Sequence, residues 1–258
     1  MHLPTEAPIP DTPAQRKADR SRLMRALNAS LAFVLVLIAV FTAQGQFDVR
    51  AFTVQPWSAE GLVGLLTAPL LHGSIEHLAA NATSLLLLGT LAGAVYPKAT
   101  LRALPILWLG AGLGAWLLGD PGSYHLGASG LTHGLMFLVL TLGLLRRDRP
   151  SIAAAMIAFL LYGGMLLTVL PREIGVSWQA HLGGAVAGVI AAFAFRLRDP
   201  LPPRKRYSWE DEDDDELVPL NDELEPPKPR EVPVLWNRPD PRDLQTGVVL
   251  KFPPRDGH

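Results

Sequence analysis

Two small motifs hold the residues most able to do chemistry. Ser129 sits in GASG at 127–130, and His181 sits in AHLGGAVAG at 180–188. A serine hydroxyl is a weak nucleophile until a base takes its proton, and a neutral imidazole can do so near pH 7. The chemistry of such a pair would be acyl transfer, which also needs donors aimed at the developing oxyanion. HLAAN at 77–81 places His77 and Asn81 four apart, on one helical face. His133 lies four residues after Ser129 and about on its side of a helix. Taken pairwise, a second reading stays open: Ser129 as a packing serine, His181 and Asn81 as interhelical hydrogen bonders. His72, with Gly73 and Ser74 between it and His77, is expected to hold a loop rather than to react.

The elements that must position these groups are membrane spans. The chain has 258 residues and is 49% hydrophobic, but its apolar residues are confined to about 23–198. Runs near 26–43, 78–95, 103–119, 126–145, 152–170 and 178–197 approach the ~20 residues that cross a ~30 Å hydrocarbon core. Six such runs leave no room for a large soluble core. The expected fold is all-α: a polytopic bundle of six transmembrane helices whose backbone bonds close within each helix. GLVGLLTAPLL at 61–71 is too short to span and contains Pro69, so it reads as an interfacial or re-entrant segment.

Three domains are expected. Residues 1–22 form a disordered, Pro-containing lead, 23–198 the helical membrane domain, and 199–258 an acidic, Pro-rich disordered tail that includes WEDEDDDEL. The basic start followed by an apolar run also suits a signal peptide, but no clean small-x-small site follows Phe41, and a retained first helix is expected. Basic residues collect before the first span, between the second and third (Lys98, Arg102), between the fourth and fifth (Arg146, Arg147, Arg149) and after the sixth (Arg196, Arg198). The alternate turns carry few. By the positive-inside rule both termini are cytoplasmic, and 44–77, 120–125 and 171–177 face outward. His72, His77, His125, His133 and His181 then gather at the outer ends of the spans, where histidine is costly unless it faces a wet cavity.

Depth and shape agree. About 26 Å of helix separates Ser129 from Arg146, and about 22 Å separates His181 from Arg196, so the two sit at similar levels on parallel spans. Gly130 and Gly134 thin the fourth span beside Ser129, and Gly184 and Gly188 thin the sixth on the side of His181. Two thinned faces let backbones approach until a hydroxyl reaches an imidazole. No acidic residue lies in either span, which makes the pair a dyad rather than a triad.

HLAAN, GASG with Gly134, and AHLGGAVAG, in that order on the second, fourth and sixth spans, resemble the motifs of the rhomboid family of intramembrane serine proteases. The resemblance covers about residues 60–197. It implies a rhomboid-like bundle with Ser129 as nucleophile and His181 as general base. It also implies oxyanion donors from His77, Asn81 and the Ser129 backbone N–H, with His72 matching the first position of an HxxxxH pattern and Gly127 belonging to the serine motif. The implied substrates are transmembrane segments of other proteins, cut near the outer face. Two departures stand out. The Trp-Arg pair found in the first outer loop of many rhomboids is missing, with Val63 and Gly64 about where it would fall. His133 occupies a position where an aromatic or apolar side chain is common.

A rhomboid-like protein that binds transmembrane clients without cutting is the alternative, and loss of Ser129 or His181 would have favoured it. A histidine-ligated metal is disfavoured because Glu76-His77 has no second histidine four residues on. The absence of cysteine removes thiolate chemistry and Cys-ligated metal. No metal or cofactor is expected. Partners are membrane lipids and transmembrane substrates, with no nucleic acid. The Ala-, Leu- and Arg-rich composition points to a bacterial inner membrane.

Overall fold

The computed structural model describes residues 12–171 and 175–200, and the described residues belong to one compact unit. Seven α-helices occur among them: α1 Pro13–Ala43, α2 Gly64–Thr67, α3 Ile75–Val95, α4 Pro97–Leu118, α5 Ser129–Arg146, α6 Arg149–Tyr162 and α7 Trp178–Phe195. Six spans are long and apolar enough to cross a membrane, with α6 continued to Leu166 by a 3-10 turn. Among the described residues there is no strand, only a single antiparallel bridge between Val54 and His125. The polytopic all-α bundle is therefore the observed architecture.

Each helix starts where its unpaired N–H groups find an acceptor. The Thr12 hydroxyl accepts from Gln15 N at 3.2 Å with Pro13 in the first turn, so α1 begins ten residues before the expected boundary at 23. Residues 13–22 are helical rather than part of a disordered lead, supported by Gln15–Asp19 and Asp19–Arg22 contacts one turn apart. Ser74 caps α3 and Asp148 caps α6. The start of α4 is capped from far along the chain: the Asp199 carboxylate accepts from Lys98 N at 3.0 Å and Ala99 N at 2.9 Å. Asp199 is buried, and Arg146 donates to its carbonyl while pairing with Asp148 at 3.0 Å. The bundle thus extends past 198 to include Asp199. The acidic tail beyond it, and Arg172, lie outside the described residues.

The centre of the bundle is α5, the most buried of the spans. It is flanked by α7, and α7 also packs along α4, both contacts being made through missing side chains. A Cβ at Gly184 would land on the Gly130 carbonyl, and one at Gly188 on the Gly134 carbonyl. Across the other seam Gly110 and Gly114 face Gly183 in the same way. Without water to drive association, such close approach supplies the van der Waals contact that holds membrane helices together.

The connection between α1 and α3 forms short 3-10 turns and α2 rather than a span. It is tied to the bundle by Trp116 Nε1 donating to Ser58 O and Trp108 Nε1 to Leu66 O. At Gly64 the backbone of Thr53 and Val54 fills the space that a side chain would take. The loop packs on itself there, and no side chain would fit.

Candidate active site

Ser129 is the first residue of α5. Ahead of it, Val54 and His125 exchange backbone bonds (3.0 and 2.9 Å), and Gly127 N donates to Ala68 O at 2.9 Å. The approach to the helix is thereby pinned to the α1–α3 connection. Gly127 has φ +111°, and a Cβ there would run into the His77 ring, so glycine is required on both counts. As the first helical residue, Ser129 has a backbone N–H with no intrahelical acceptor, at the positive end of the helix dipole.

Ser129 Oγ lies 2.9 Å from His181 Nε2. The other ring nitrogen, His181 Nδ1, is 3.0 Å from the Thr168 carbonyl. A carbonyl only accepts, so Nδ1 carries the proton and Nε2 presents its lone pair to the Ser129 hydroxyl. The group that orients the ring is a main-chain oxygen, and no carboxylate stands at this position. Thr168 lies in the turn before Pro171, and side-chain patterns gave no signal for it.

His133 stacks on His181, with ring centroids 3.9 Å apart and planes 11° from parallel. The departure at this position keeps a flat ring against the imidazole. His133 Nδ1 donates to the Ser129 carbonyl (2.7 Å), and its Nε2 meets the Thr168 hydroxyl (2.8 Å). One side chain therefore braces the start of α5, the stacked ring and the orienting turn. Gly130, Gly134, Gly184 and Gly188 form the α5–α7 seam immediately beneath the pair, as their spacing predicts.

His77 and Asn81 face the same cavity as Ser129 and His181, a space of ≈ 1050 Å³. Asn81 is buried, and among the described residues its Nδ2 has no protein hydrogen-bond partner. That N–H is free to donate to a group that enters the cavity. His72 is not among the residues that line this cavity. It is fully buried behind His77, edge-on with centroids 5.2 Å apart, and its backbone N–H and carbonyl are both bonded to the Gln44 side chain. Burial, and secondly the neighbouring His77, push its ring down to about 4, so it is neutral at pH 7. Its place is in holding the loop.

His125 also lines the cavity. Its ring is held between Ser177 Oγ (2.6 Å) and Ser123 Oγ (2.9 Å), linking the turn before α5 to the turn before α7. Burial lowers its protonation, with Asp120 acting weakly in the opposite sense. Among the described residues, no group of three His, Asp or Glu side chains is arranged to hold a metal ion.

The arrangement contains the parts of an acyl-transfer site: a hydroxyl bonded to an oriented base, and donors around one cavity. Comparison with known proteins bears on what it belongs to. Residues 59–198 match the family model described as Rhomboid domain. Uncharacterised proteins of Mycobacterium tuberculosis and Mycobacterium bovis are each 38% identical to this chain over 196 residues, which cover 71% of this chain and 81% of theirs. An uncharacterised protein of Mycobacterium leprae is 40% identical over 140 residues, 51% of this chain and 55% of that one.

Proposed function

The chain belongs to the rhomboid family, and from that premise we propose that it is an intramembrane serine endopeptidase cutting transmembrane segments of other membrane proteins near the outer face. The observation that carries this reading is the 2.9 Å contact between Ser129 Oγ and His181 Nε2 in a ring whose opposite nitrogen is bonded to Thr168 O.

Ser129 Oγ attacks the scissile carbonyl carbon while its proton passes to His181 Nε2. The new C–O bond leaves negative charge on the carbonyl oxygen, within the reach assigned to the Ser129 N–H, Asn81 Nδ2 and the His77 ring. His181 then returns the proton to the leaving amine as the C–N bond breaks. Water from the polar cavity, activated by the same nitrogen, hydrolyses the acyl-enzyme. His181 carries positive charge between these steps, and the Thr168 carbonyl and the face of His133 lie against it. A helical substrate hides its carbonyls in its own hydrogen bonds, so residues that unwind readily near the site favour cleavage.

Both termini are assigned to the cytoplasm. The basic residues at the α3–α4 and α5–α6 turns and the opposite placement of the histidines support that orientation. The mycobacterial relatives support a bacterial inner membrane.

The test is cleavage in proteoliposomes. The full chain is reconstituted with a panel of single-span substrates carrying small or helix-breaking residues near one face, and fragments are read by mass. Paired fragments formed by wild type and absent with Ser129→Ala support the reading. Intact substrates that nevertheless co-purify with the chain would replace it with client binding.

A further inference from the structure

A second cavity, of ≈ 540 Å³, opens between α1, α3 and α4 and runs toward the end of the bundle remote from Ser129. Its floor is Leu85, Leu131 and Leu135, and α1 approaches α3 closely because Gly89 and Gly93 leave room for Ser30 and Ala26. Along α1 the lining runs from Arg22 to Phe33, about 16 Å of helix. That is about half of a ~30 Å hydrocarbon core, the depth of a single leaflet. The wall at Leu101 is 71% exposed, so the slot is open sideways to lipid rather than closed by protein.

Two arginines stand at its mouth. Arg22 pairs with Asp19, while Arg25 donates to the Ser21 hydroxyl at 2.8 Å and has no carboxylate in ion-pair range among the described residues. Lys17 and Arg20 add positive charge nearby on the same helix. An apolar slot one leaflet deep beneath guanidinium groups is complementary to a chain with an anionic head. We propose that this slot binds one acyl chain of an anionic phospholipid, its phosphate held at Arg22 and Arg25. The site lies away from the catalytic cavity and shares no lining residue with it. It stands or falls independently of whether Ser129 is a nucleophile.

Native mass spectrometry of the full chain released from detergent tests this, with phosphatidylglycerol and phosphatidylcholine of identical acyl chains supplied at equal concentration. Wild type is expected to retain phosphatidylglycerol in preference to phosphatidylcholine. Replacing Arg22→Gln and Arg25→Gln together should lower that preference by about 25-fold, about fivefold for each charge. The pair Lys17→Gln and Arg20→Gln removes the same charge from outside the slot and should leave the preference within about threefold of wild type. Ala29→Trp, at an exposed position that fills the slot, should reduce retention of both lipids. Equal retention of the two lipids by wild type would overturn the proposal. So would equal losses from the two charge pairs, which would reduce the effect to the general field of a basic helix, or unaltered retention in Ala29→Trp.

Discussion

Gly184→Ala should disable the site without dismantling the fold. A Cβ at this position lands on the carbonyl oxygen of Gly130, the residue after Ser129, while Gly184 itself lies less than one turn from His181. Neither partner is a flexible side chain that can swing away. To restore ordinary contact, α7 must retreat from α5 by on the order of 1 Å, a misplacement that by itself costs about 100-fold in rate. Added to the native 2.9 Å, the retreat takes Ser129 Oγ and His181 Nε2 beyond hydrogen-bonding reach. Overpacking at such a seam costs about 1–3 kcal/mol of stability, which a six-helix bundle can absorb. The assay is the second-order rate of labelling by a fluorophosphonate in detergent, read beside thermal unfolding of the same sample. Labelling should fall by about 100-fold with a shift of a few degrees in the midpoint. Gly164→Ala, where a Cβ meets no described residue within 4 Å, is the control and should label within about threefold of wild type. A folded Gly184→Ala protein that labels as fast as wild type would refute the claim that this seam sets the dyad distance.

Other expectations address the remaining parts of the site. His133→Phe keeps a ring against His181 and should retain most of the labelling rate, whereas His133→Ala should lose about tenfold or more, since both the stack and the brace to Thr168 disappear. Asn81→Ala should lower the rate of substrate cleavage by about 100- to 1000-fold while leaving substrate affinity nearly unchanged, the signature of a donor used in the transition state. His72 titrates near 4 in the fold and near 6.5 in an opened chain. Between those values the opened chain binds more protons, so its contribution is full above about pH 6.5 and is lost as the pH falls toward 4. Unfolding midpoints measured from pH 8 to 4 should therefore drop, and less so in His72→Phe.

Much of the candidate site was legible because it is built from side chains with tight spacing. Gly130 and Gly134 against Gly184 and Gly188 announced a close approach of two spans, and the depths of Ser129 and His181 on those spans matched. The orienting group was not legible. It is the main-chain oxygen of Thr168, and a backbone carbonyl has no residue-type signature. Long-range caps were hidden for a similar reason, since nothing local marks Asp199 as the acceptor for the start of α4 a hundred residues earlier. The start of α1 was placed late because Arg16–Arg25 looks like a solvated lead by hydropathy, although Thr12 and Pro13 form a helix start. His133 carried a mixed signal. Its polarity departed from the expected pattern, but its planar ring met the need for a flat surface against His181.

The most direct measurement is site-resolved labelling by a fluorophosphonate of purified wild type, Ser129→Ala and His181→Ala, each shown to be folded and run beside a serine hydrolase that reacts with the same probe. The adduct should map to Ser129 in wild type and be absent from both variants. A folded wild type that stays unlabelled, or that still labels when His181 is replaced, would contradict a hydroxyl activated by that imidazole.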